Sequence, residues 1–259
     1  MLERGRVRLN GLPAKIASLR LAPGDLVEIT SHEVPSPPLH GITIAFEDEA
    51  LLVVEKPAGL LTVATKHERQ RTAFAYLLQY LKARNNRQRL FIVHRLDKFA
   101  SGVLVFAKSQ TIQTQLKNMF SRHDIQRIYW AIVEGRVKPD HGTIQSYLAE
   151  NRVQRMHSTA DPASGKEAIT HFRVLRRFPQ LTSLEVTLET GRKNQIRVHL
   201  SESGHPIVGD RAYGSGVNPM GRLGLHACLL GFSHPVHGTH ILHKTRIPPE
   251  FIRYLPEKR

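Results

Sequence analysis

The chain has 259 residues, enough for one sizeable catalytic domain with a small appendage and too few for two large domains. Its 37 Lys and Arg against 22 Asp and Glu leave a formal charge of +15, a self-repulsion that a polyanionic partner relieves, so nucleic acid is the leading partner class. The single cysteine, Cys228, excludes an internal disulfide and a thiolate zinc cluster, no apolar run approaches a bilayer span, and the start Met1-Leu2-Glu3-Arg4-Gly5-Arg6 lacks a secretory apolar stretch, so a soluble cytoplasmic protein without membrane association is expected.

In chain order, residues 6–29 hold short apolar segments around Asn10-Gly11, then a Pro23-Gly24 turn before the alternating Leu26-Val27-Glu28-Ile29. The stretch SHEVPSPPLH at 31–40 concentrates three prolines, which block regular backbone hydrogen bonding. The expected organisation is an appendage over 1–31, an extended linker over 32–41 and a catalytic domain over 42–259.

Within that domain, Ile42-Thr43-Ile44 and Leu51-Leu52-Val53-Val54 are predicted strands, and Phe74, Leu77, Leu78 and Leu81 recur at helical spacing. Leu90 to Val93 and Val103 to Phe106 are short apolar runs, predicted as buried strands around a polar loop, while Ile112, Leu116, Met119 and Phe120 share one helical face. Ile128 to Val133 reads as a strand. Leu184, Val186 and Leu188 alternate with polar neighbours before a Gly-Arg turn and a helix for which Asn194 is the predicted N-cap. Strands and helices do not alternate regularly, so the expected fold is α+β, with a mixed, mostly antiparallel central sheet and flanking helices and loops around a cleft.

The segment FIVHRLDKFASGVLVFAK at 91–108 places His94, Arg95, Asp97 and Lys98 between two buried runs, and loops held by rigid strands are where catalytic groups concentrate. This run resembles the signature of the RluA-type pseudouridine synthases, with Ala100 where the family usually carries Thr. Two further stretches match that family in order: EDEALLVVEKPAGLLT at 47–62 and LETGRKNQIRVHLSESGHPIVGDRAYG at 188–214. The resemblance spans about residues 42–259 and implies a cofactor-free and metal-free isomerase that converts uridines in ribosomal or transfer RNA, ribosomal preferred, to pseudouridine. It implies Asp97 as the catalytic carboxylate, Tyr129 of RIYWAIVEG as the platform for the extruded base, and Arg197 as the ionic partner that orients Asp97 through two parallel contacts.

Ile196 is expected in the same pocket, and His94 and Arg95 are expected to touch RNA or brace the loop. The basic stretch that includes Arg84, Arg87 and Arg89 is a candidate phosphate grip. Lys193 and Asn194, like Ala100, depart from commoner family residues. Residues 4–29 look like the second half of the alpha-L-type RNA-binding module shared with a ribosomal small-subunit protein, without its helical first half. A monomer with no obligate protein partner is expected. Two rivals stay open: an RNA-binding or ribosome-assembly factor without turnover, and a metal-dependent hydrolase built on His234, His237, His240 and His243. Pro235 and Gly238 break that second pattern, so a histidine-rich hairpin is the preferred reading.

Overall fold

The computed structural model describes residues 7–10, 12–14, 21–29, 37–85 and 87–256. Three short strands, β1 (Val7–Leu9), β2 (Leu12–Pro13) and β3 (Val27–Ile29), form a separate small antiparallel sheet in the order β2-β1-β3. Asn10 turns the chain with φ 52°, a left-handed value Asn tolerates, and its side chain ties back to Asp25 at 2.7 Å and to the Leu26 amide at 2.8 Å. Half of the linker, residues 32–36, lies outside the described residues, and residues 37–41 carry no regular structure.

The remaining elements are β4 (Thr43–Glu47), β5 (Leu51–Lys56), α1 (Ala73–Arg84), β6 (Phe91–Ile92), β7 (Ser101–Ala107), α2 (Gln110–Ser121), β8 (Gln126–Glu134), β9 (His141–Glu150), β10 (Met156–Thr159), β11 (Lys166–Arg177), β12 (Leu181–Leu188), α3 (Gln195–Glu202), β13 (Leu225–Ser233) and β14 (His240–Lys244). The strands build an 11-stranded sheet in the order β10-β9-β11-β12-β8-β13-β7-β5-β4, with β14 on β13 and β6 on β7. Every pairing in it is antiparallel except β13 with β7, which gives the mixed, mostly antiparallel sheet that the uneven sequence pattern predicts.

The unbroken apolar runs of β5 and β7 follow from burial on both faces. Leu52, Val54, Leu104 and Phe106 enter one core, which Leu77, Tyr80 and Leu81 of α1 cover, while Leu51, Val53, Val103 and Val105 enter a second, covered by Ile112 and Leu116 of α2. Each helix starts on a hydroxyl cap: Thr72 accepts from the Ala75 amide at 3.1 Å and Ser109 from the Ile112 amide at 3.2 Å. No helix among the described residues is long and apolar enough to cross a membrane.

The parallel junction of β7 and β13 admits no side chain at its start. Gly102 holds φ 118°, and a Cβ there would stand 2.1 Å from the Ala227 carbonyl oxygen and 2.6 Å from its nitrogen, both fixed backbone atoms. Gly102→Ala is therefore expected to cost about 3 kcal/mol or more, beyond most single substitutions. Urea unfolding checks this; a midpoint equal to that of the unsubstituted protein would show that the junction yields.

Candidate active site

The polar loop between β6 and β7 is clamped from beneath by the segment that follows β5. Lys56, 2% exposed, donates from Nζ to the carbonyls of Pro57 (2.9 Å), Leu60 (2.8 Å), Lys98 (3.2 Å) and Ala100 (2.6 Å). Gly59 N–H also donates to Lys98 O at 2.9 Å, and the Thr62 hydroxyl exchanges hydrogen bonds with the backbone of Leu96 at 2.7 and 3.2 Å. The residues on both sides of Asp97 are thus held by main-chain contacts, which leaves the carboxylate to face outward from a rigid support. Burial drives the Lys56 ammonium down to about 7, with Asp97 pulling it back up and Arg222 adding a smaller push down.

Asp97 lines a cavity of about 860 Å³ together with His94, Arg95, Tyr129, Ile196 and Arg197, residues from three separate stretches of chain. Arg197 projects from the first turn of α3. Its Nε and Nη2 fork onto Asp210 at 2.6 and 2.8 Å, its Nη1 reaches the Asn194 side-chain oxygen at 3.0 Å and Asp97 Oδ2 at 3.5 Å, and its plane lies 4.7 Å from the Tyr213 ring centre. The two parallel contacts expected for Asp97 therefore go to Asp210, because that carboxylate is buried, 3% exposed, and needs full compensation. Among the described residues, Asp97 receives one long side-chain contact and keeps most of its oxygen lone pairs free.

Asn194 precedes α3 as predicted but does not cap it. Its backbone is left-handed at φ 56°, no side-chain cap bond forms, and its amide instead joins Arg197 Nη1 to the Tyr213 hydroxyl, the latter at 3.1 Å. Gln195 takes over the bracing of the turn: its oxygen accepts from the Thr190 hydroxyl and the Arg192 amide, while its nitrogen donates to Ile169 O. Lys193, also in the cavity lining, pairs with Glu150.

Tyr129 sits on β8 between β12 and β13, opposite Val186 and Ala227, and its hydroxyl has no hydrogen-bond partner among the described residues. Burial pushes its phenol above the ordinary value, against the pull of Arg127 and with a further push from Asp97, so it stays protonated. His94 braces the loop: its Nε2 accepts from the Val105 amide at 3.1 Å, its ring lies 4.7 Å from that of Phe120, and burial, aided by Arg127, pushes it down to about 3.

Arg84 is turned inward, contrary to a phosphate grip. It pairs with Glu47 at 3.1 Å and stacks 4.0 Å over Tyr80, because the end of α1 packs on the β4 turn. Arg87 and Arg89 are exposed and lie outside the cavity lining.

The four terminal histidines form the hairpin of β13 and β14. His243 meets Glu55 at 2.7 Å and His234 meets Asp48 at 2.8 Å. Asp48, His234 and His237 bring ligand-type atoms within 4.8 Å of one another, but the two imidazoles are stacked at 4.6 Å with planes 18° apart, so their in-plane lone pairs do not converge on one point. His234 Nδ1 already accepts from the amides of Val236 and His237.

Sequence reading singled out neither Lys56, Asp210 nor Arg127. Lys56 stands inside the stretch 47–62, Asp210 inside 188–214, and Arg127 opens RIYWAIVEG; presence in a matched motif was the only available signal for each.

The sequence model of the RNA pseudouridylate synthase family matches residues 50–202. The uncharacterized RNA pseudouridine synthase YlyB of Bacillus subtilis (strain 168) is 35% identical, the match covering 100% of this chain and 87% of that one. Ribosomal large subunit pseudouridine synthase D of Neisseria meningitidis serogroup A is 33% identical over 98% of this chain and 72% of its own. The solved human RNA pseudouridylate synthase domain containing 4 shares the fold, with a TM-score of 0.66 at 24% identity over 82% of this chain and 90% of that one.

Lys56 makes the clamp sensitive to pH. With its folded value near 7 and its ordinary value 10.5, the folded state binds fewer protons there than the unfolded chain across that window. Its contribution to stability therefore rises as pH rises from about 7 to 10.5 and is least favourable below 7. Unfolding free energies of the unsubstituted protein are expected to climb more steeply over this range than those of Lys56→Met; parallel pH profiles would refute the assignment.

Proposed function

Because this chain belongs to the RluA-type RNA pseudouridylate synthase family, and is thus an isomerase acting on RNA, we propose that Asp97 carries out the isomerisation of uridines in a structured ribosomal RNA. The single observation that carries this reading is the convergence of Asp97, Tyr129 and Arg197 on one cavity from positions up to 100 residues apart. The names of relatives such as the Neisseria large-subunit enzyme support ribosomal over transfer RNA as substrate. The appendage expected over residues 1–31 is proposed to assist RNA docking.

The reaction breaks the bond between carbon 1′ and nitrogen 1, turns the uracil, and joins carbon 5 to carbon 1′. The proton on carbon 5 leaves and nitrogen 1 gains one, so no electrons are exchanged and no redox partner is needed. An ionised Asp97 meets the ribose as nucleophile at carbon 1′ or as base at carbon 2′; either role requires an unprotonated oxygen free to approach. Arg197 places a positive charge beside Asp97, and its fork onto Asp210 stops it from closing over that carboxylate. Tyr129 offers a flat surface to the extruded base, and its protonated phenol can pass a proton but does not stand as a base. Arg95, exposed at the rim, and the other cations around the cavity attract the RNA backbone.

Asp97→Asn is expected to lower tritium release from RNA labelled at uridine carbon 5 by at least about a thousandfold while RNA binding persists. Release at the unsubstituted rate would sink the role given to Asp97. Asp210→Asn removes a charged hydrogen-bond pair worth about 1.5–3 kcal/mol, so kcat is expected to fall roughly 10- to 100-fold with KM little changed. A change confined to KM would instead place Asp210 in RNA binding.

A further inference from the structure

Arg127 is a cation enclosed without a counter-charge. It precedes Tyr129 by two positions on β8, so the two side chains leave the same face of the strand about 6.6 Å apart, and both line the cavity. Arg127 is 8% exposed, yet no carboxylate lies within 4.0 Å of it among the described residues, and its Nε is buried without a partner. Only Nη2 is engaged, donating to the carbonyls of Leu188 at 3.1 Å and Glu189 at 3.0 Å, while the guanidinium lies 5.1 Å from the centre of Phe120. A guanidinium carries five donors, and a buried charge without a partner is among the costlier features a fold can keep.

Two neighbours hold this cation in place. A Cβ at position 191 would stand 2.9 Å from Arg127 Nη1, so Gly191 leaves the room that the guanidinium occupies. His94, on the same Phe120 ring, is kept neutral by burial and adds no competing charge. Lys117 and Arg192 line the same wall, but they are exposed and serve the longer-range field.

We propose that Arg127 binds a backbone phosphate oxygen of the nucleotide whose base rests on Tyr129, so that the substrate itself brings the missing negative charge. This rests on the reading of Asp97 and Tyr129 as the isomerising pair. The spacing of two strand residues is comparable with the distance between a base and its own phosphate, so one nucleotide can engage both side chains. Arg127 then selects an extruded nucleotide over a stacked one, since only extrusion carries the phosphate so far into the cleft.

The test uses the full chain and large-subunit ribosomal RNA transcribed with tritium at uridine carbon 5, with release measured from low to high KCl. Arg127→Gln is expected to raise KM at least tenfold with kcat within about threefold, and to flatten the slope of log kcat/KM against log salt by about 0.7 to 0.9, the share of one phosphate contact. Arg127→Lys is expected to recover that slope. An Arg127→Gln protein that melts normally yet keeps the original slope, or loses only kcat, overturns the proposal. If Arg127→Gln does not fold, the unsubstituted protein is tested on an RNA fragment bearing neutral methylphosphonate linkages beside the modified uridine. Loss of at least tenfold in KM at one linkage supports the proposal, and indifference at every linkage overturns it. Should the unsubstituted protein release no tritium, the isomerase reading fails separately, and the same salt slope read by filter binding still decides the role of Arg127.

Discussion

A single guanidinium serves two carboxylates at the floor of the cleft, and the disposition of the rest of the site depends on how it divides itself. Arg197 gives its fork to the enclosed Asp210 and only the edge of Nη1 to Asp97. A carboxylate that accepts two short charged bonds is sealed, whereas one with a single long contact is left open to the cleft. Asp210 is thus the anchor and Asp97 the residue proposed to react, although both are aspartates beside the same arginine. Asn194 and Tyr213 complete the arrangement by holding Nη1 and the arginine plane in position.

The same economy governs the loop that carries Asp97. Its backbone carbonyls would be unsatisfied beneath a covered core, and one lysine side chain ties two of them, at Lys98 and Ala100, to two more on the segment after β5, at Pro57 and Leu60. Because Lys56 ends β5, the clamp is continuous with the most deeply buried part of the sheet, and the loop inherits the rigidity of β5 and β7. The tight junction at Gly102 fixes where β7 leaves that loop beside β13, and β8, also paired with β13, brings Tyr129 and Arg127 to the same cavity. The positions of Asp97, Tyr129 and Arg127 are therefore set by one pattern of strand pairing.

Much of this was legible in the sequence where local pattern and burial coincide. The apolar runs of β5 and β7, the helical faces of α1 and α2, the mixed sheet and the histidine hairpin all follow from periodicity and turn chemistry. Asp97, Tyr129, Ile196 and Arg197 were reached through motif resemblance, and they line one cavity. What stayed hidden were pairings between distant positions, which leave no period to read. Nothing local marks Asp210 as the owner of the Arg197 fork, or shows that Glu47 draws Arg84 inward from an otherwise basic surface segment. Asn194 illustrates the limit at short range: an N-cap residue by type, it takes a left-handed backbone because its side chain is needed between Arg197 and Tyr213.

The most direct measurement is a crystal structure of the Asp97→Asn protein with a uridine-containing ribosomal RNA fragment bound. The expected result is an extruded uracil lying against the Tyr129 ring, with ribose carbon 1′ or 2′ within about 3.5 Å of the side chain at position 97 and Arg197 still forked onto Asp210. A uridine bound with its sugar turned away from position 97, or held outside the cavity altogether, would contradict it.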